Sequence, residues 1–109
     1  MATTYKVLGQ SAPSAASATT LYTVPGATQA IVSTINVVNT SGASDTVRIA
    51  IRPAGATISN EHYIVYDLSL SPTATFTYTS GVTLAATDVV TVYSTNGTSS
   101  FNAFGSEIA

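Results

Sequence analysis

The sequence predicts an all-β chain: one two-sheet antiparallel sandwich of about eight short strands, immunoglobulin-like or jelly-roll. Three observations lead there. β-Branched residues and Tyr recur in short runs, the setting that a pleated, half-buried surface favours. Gly, Pro, Asn and Asp punctuate those runs every ~8–12 residues, the spacing of a sandwich or barrel. No segment sustains a helical period.

The elements follow in order. Tyr5–Leu8 is a first strand. Ser11–Thr19 surrounds Pro13 with Ser and Ala and shows no periodicity, so it reads as a loop or arm. Leu21–Val24 is a short strand closed by the turn pair Pro25-Gly26. Gln29–Asn39 is longer, with Ile31, Ser33, Ile35 and Val37 expected on one face. Thr40–Asp45 is a turn, since Ser41, Gly42 and Asp45 favour turn geometry. Thr46–Arg52 alternates most clearly: Val47, Ile49 and Ile51 point one way, Arg48, Ala50 and Arg52 the other. Pro53 has no donor for a ladder and ends it. After a loop around Gly55, His62–Leu70 sets Ile64, Tyr66 and Leu68 opposite Tyr63, Val65 and Asp67. Ser71-Pro72 turns the chain into Thr75–Thr79. Val82–Leu84 is a short strand or loop entry, and Asp88–Ser94 alternates again. Asn96-Gly97 is the strongest hairpin signal, because both residues tolerate positive φ. Ser99–Ile108 is the last strand. The division is residues 1–19 as an N-terminal strand and flexible arm, and 20–109 as the sandwich.

Composition narrows the function. The chain has 109 residues, enough for one domain. Charged residues make up 7%, against roughly 25% in an average soluble domain, while Ser and Thr take roughly 30% of positions. Such a surface repels its neighbours weakly, which favours association. The three cations, Lys6, Arg48 and Arg52, are too few for a nucleic-acid patch. No apolar run reaches the ~18 residues of a membrane span, so neither nucleic acid nor membrane is an expected partner. Residues 1–10 lack a signal peptide's basic start and apolar stretch, which points to synthesis and assembly in a cytoplasm. Cys is absent.

No chemistry-bearing constellation stands out, so no catalytic, metal or cofactor site is expected and the chain reads as a non-enzyme. His62 is the sole histidine, and strand alternation turns Glu61 and Asp67 away from it. Asp45, Glu61, Asp67, Asp88 and Glu107 are not paired by spacing. Asp88 and Asp45 read as turn residues, and Asp67 as an ion-pair partner of Arg48 or Arg52. There is no Gly-x-Ser-x-Gly elbow and no Gly-Lys phosphate loop. Two strands carry apolar groups on both faces: His62–Leu70, and Ser99–Ile108 with Phe101 and Ala103 opposite Phe104 and Ile108. A second apolar face needs a cover, either the chain's own loops or a neighbouring subunit. The candidate interface residues are Tyr5, Val7, Tyr63, Val65, Phe101, Phe104 and Ile108. The six tyrosines are half-buried strand residues or, where two or three cluster in the open, a recognition surface.

Several stretches resemble small structural proteins of tailed-bacteriophage virions. They are Leu21-Tyr22-Thr23-Val24-Pro25-Gly26 with the strand Ala30–Val38, Ile49–Gly55, Asn60–Asp67, Leu84–Tyr93 and Ser100–Gly105. The resemblance covers most of the chain from Leu21 onward and carries over no catalytic residue. The end of the chain also resembles the last strands of trimeric complement-type jelly rolls, except that Thr87-Asp88 stands where Gly-Asp is usual. The phage resemblance implies a virion protein assembled in a bacterial cytoplasm. The first expectation is a head decoration (cement) protein, a homo-oligomer, with a trimer among the candidate states, that also contacts the major capsid protein. The alternative is a tail, baseplate or fibre component, including a receptor- or glycan-binding module.

Overall fold

The computed structural model describes residues 2–109. Among them, nine strands form two antiparallel sheets: β1 Thr3–Ser11, β2 Thr19–Thr23, β3 Gln29–Asn39, β4 Asp45–Arg52, β5 Tyr63–Leu70, β6 Thr75–Tyr78, β7 Val82–Leu84, β8 Val89–Ser94 and β9 Ser99–Ile108. One-turn 3-10 segments occupy Pro53–Gly55 and Asn60–His62. One sheet has the order β1-β9-β3-β6, with β7 also paired to β3; the other runs β2-β8-β4-β5. β6 and β7 lie along different stretches of β3, so together they fill one strand position. The fold therefore has eight positions, in line with the periodicity.

The pairings nest. β4 pairs β5, β3 pairs β6 and β7, β2 pairs β8, and β1 pairs β9. The chain is a long antiparallel hairpin, centred between β4 and β5, rolled around a core. That connection is the double Greek key of a jelly roll, which decides between the two sandwich topologies left open by the sequence.

Alternation builds the core. Val47 and Ile49 from β4, Val90 and Val92 from β8, Ile35 and Val37 from β3, and Phe101 and Ala103 from β9 face one another between the sheets, all buried. Phe101 is 0% exposed and Val65 packs in the same cluster, so neither of these two expected interface residues is open to a partner. Their apolar character is used up inside the chain.

Two further expectations change. Ile31 does not share a face with Ile35 and Val37. A register shift between Val32 and Thr34 leaves Ser33 as an extra residue, so Ile31 points outward. Asn96-Gly97 makes a tight bend, with Gly97 at φ 70°, but the strands it joins lie in different sheets. The bend is drawn across by Asp45 and Ser44, which accept hydrogen bonds from the Asn96 backbone and side-chain amides at 3.0 Å each.

The N-terminal region is not a free arm. β1 pairs along its length with β9, and Leu8 enters the core. The following loop is docked: Ala16 N–H donates to Ser94 O at 2.9 Å, and Pro13 is buried. A Cβ on Gly97 would press on the Ala15 backbone, so the loop passes too close for any other residue there.

Candidate interaction surfaces

The two outer faces of the sandwich differ. On the β1-β9-β3 sheet, inner and outer rows are set by Glu107. It lies in β9, yet accepts a hydrogen bond from the Tyr22 hydroxyl of the opposite sheet at 2.5 Å, and pairs with Lys6 of β1 at 2.9 Å. Glu107 and Lys6 therefore point inward. Alternation then sends Tyr5, Val7, Phe104 and Ile108 outward, with Ser106 in the same row but itself buried. Tyr22 holds Glu107 below the usual carboxylate range, Lys6 adding to the effect, while burial and the same contact push the Tyr22 phenol up.

Register brings these residues together. Val7 lies opposite Phe104, Tyr5 opposite Ser106, and Ser106 opposite Ile31. Ile108 follows one pair along, opposite Thr3 and Gln29. Tyr5 is 83% exposed, Val7 49% and Ile31 39%, with Phe104 and Ile108 partly open. Four of the seven expected interface residues thus form one apolar patch. Ile31 joins them because Ser33 is bulged. The patch borders β1, the end strand of its sheet, whose other edge has no ladder partner among the described residues. An unpaired edge strand beside an apolar face is a surface ready to add a neighbour.

The opposite outer face, on β8-β4-β5, is aromatic and polar. Arg48 extends from β4 between two tyrosine rings, 4.4 Å from the Tyr66 centroid and 4.5 Å from that of Tyr93. Asp67 receives two hydrogen bonds from the guanidinium, at 2.6 and 3.3 Å. Asp67 thus takes the expected ion-pair role, with Arg48 as its partner. Tyr63 meets Tyr66 edge-on, rings 78° apart and centroids 4.8 Å apart. Tyr63 and Tyr66 would face opposite ways in a regular strand, being three residues apart. One register shift brings them to one face: Ile49 pairs Val65 while Ala50 pairs Tyr63, which leaves Ile64 as an extra residue between the two tyrosines; a second shift at Tyr66-Asp67, where Asp67 has φ 50°, returns Leu68 to its place opposite Val47. Tyr63 therefore belongs with this face, not with the Tyr5 patch.

The titratable residues hold loops in place. Ser59 N–H donates to His62 Nδ1 at 3.1 Å, closing the turn before β5. Asp88 accepts from Ala54 and Ala85 N–H, each at 2.9 Å, which ties two loops together. Asp45 is buried at the end of the sandwich. It accepts from the Ser94 and Ser99 hydroxyls at 2.5 and 2.6 Å and from the Thr46 and Asn96 amides at 2.9 and 3.0 Å. Burial alone would raise its pKa, but those four bonds outweigh it and hold the carboxyl below its ordinary range. Among the described residues, no three His, Asp or Glu side chains gather as a metal-binding group.

Comparison of the chain with protein-family models, with curated proteins and with solved structures found no match.

Proposed function

We propose that this chain is a structural protein of a phage particle that coats the head as a decoration, or cement, subunit. The observation that carries the reading is the outer face of the β1-β9-β3 sheet. There Tyr5, Val7, Ile31, Phe104 and Ile108 present one apolar patch beside an open strand edge. The scarcity of charge supports the same reading, since little on this surface would repel a second copy. The assignment to phage rests on the sequence resemblance. Jelly rolls serve viral capsids and lectins alike, so the fold is compatible with the reading without selecting it.

The mechanism is mechanical. Copies bury the patch against each other or against the capsid subunit beneath. Each contact is modest, but many contacts on one shell act together and stiffen it.

The test is direct. Undecorated phage heads are mixed with the purified chain, and bound copies and the heat resistance of the heads are measured. Saturable coating that raises heat resistance, lost in Tyr5→Ser and Phe104→Ser, supports the reading. Heads that remain bare, or coating that survives both substitutions, overturns it.

A further inference from the structure

The aromatic face opposite the patch carries an inference of its own, independent of where on a particle the protein sits. Asn60, Tyr63 and Tyr66 line an open cleft of about 400 Å³, at the small end of the range of ligand sites. Its two rings stand nearly perpendicular, 78° apart. Tyr66 is 58% exposed, a large share for a ring that the fold also holds in place. Tyr63 braces it on one side, and Arg48 stacks on it. Arg48 is in turn fixed by Asp67 and Tyr93. A side chain locked before the ligand arrives loses little freedom when it binds.

The chemistry of the cleft selects the ligand. A pyranose ring has an apolar face of C–H groups and a rim of hydroxyls that both donate and accept. Two tyrosine rings offer flat apolar surface for the first. Two phenol hydroxyls and the Asn60 carboxamide, each able to donate and accept, suit the second. An anionic sugar would need a free cation, and Arg48 is already neutralised by Asp67. A proline-rich peptide would need a groove with several aromatic ridges in line, whereas three residues make a single corner here. We propose that the Asn60–Tyr63–Tyr66 corner binds neutral pyranose sugars, one or two rings of a glycan at a time.

The full chain is titrated with cellobiose, maltose, lactose and mannobiose, and followed by amide NMR shifts and tyrosine emission, there being no Trp to mask it. At least one disaccharide is expected to shift the amides of residues 60–67 saturably, with a dissociation constant on the order of 1 mM. Tyr66→Ala and Asn60→Ala should each weaken that binding about tenfold or more, a loss of one good contact. Tyr66→Phe, which keeps the ring, should stay within about threefold. Thr75→Ala, on the other sheet, should leave it unchanged. Amide dispersion in each variant confirms that the fold persists, and two separate variants keep the test open if one of them unfolds. The inference is overturned if none of the four sugars gives a saturable shift at about 50 mM, well above the expected constant. It is overturned equally if the shifts map away from residues 60–67. Preference for sialyllactose, or binding of a proline-rich peptide in place of the sugars, would also overturn it.

Discussion

Replacing Tyr5 by Ser tests the proposed assembly separately from folding. The Tyr5 ring stands 83% exposed on β1, so the isolated subunit gains little from burying it. A Tyr side chain can bury roughly 200 Å². If a neighbouring subunit covers half of what is open, about 80 Å² of contact is lost in the variant, worth about 2 kcal/mol at 25 cal/mol per Å². That weakens one subunit contact about thirtyfold. The assay is sedimentation equilibrium for the dissociation constant of the oligomer, alongside thermal unfolding of the dilute subunit. The expected result is a dissociation constant raised about tenfold to a hundredfold, with the unfolding midpoint moved by less than about 3 °C. An association constant unchanged within threefold would show that the patch is not the contact surface. A large fall in the midpoint would show instead that Tyr5 belongs to the subunit's own stability.

Other substitutions test the interior. Asp45→Ala strands the buried Ser94 and Ser99 hydroxyls, and a lost partner costs about 1–3 kcal/mol each, so denaturant unfolding should report a loss of about 2–6 kcal/mol. Asp45→Asn keeps the shape and one acceptor and should cost less; equal losses would contradict the hydrogen-bond account. Phe101→Ala should destabilise by about 3–5 kcal/mol, as for a large ring removed from a closed core, and a near-neutral result would place Phe101 outside it. Asp45 and Glu107 both have folded pKa values below their usual ones. Their contribution is therefore present above the unfolded carboxylate range and lost as pH falls through the lower folded values. Stability should stay level from neutral down to about pH 5 and decline below about pH 4, and a decline starting at pH 6 would contradict these assignments. Deleting residues 1–11 removes Leu8 from the core and uncovers β9, so it should unfold or aggregate the chain; a well-folded product by amide dispersion would mean β1 is dispensable.

Strand placement was legible because the side-chain period of a strand is local. Val47, Ile49 and Ile51 alternate with Arg48, Ala50 and Arg52 within six residues, and the ranges Gln29–Asn39, Val82–Leu84 and Ser99–Ile108 are the observed strands. That Phe104 and Ile108 lie on the face opposite Phe101 and Ala103 was legible for the same reason; that Tyr5 and Val7 share their face follows from the pairing of β1 with β9. Phe101 and Val65 were misplaced because an apolar residue in an unpaired sequence does not say whether its own chain or a neighbour covers it.

What the sequence determined by itself is the run of short β segments and the sparse charge. Tertiary structure decided strand order, and with it the jelly roll over the immunoglobulin-like sandwich. It also decided which side chains meet. Ser33 turns Ile31 into the apolar patch, and the extra residue Ile64 puts Tyr63 and Tyr66 on one face. A bulge shifts the pattern by one residue and so flips every side chain beyond it. Where it falls depends on hydrogen bonds to a strand far away in the chain, and nothing in the local pattern carries that information.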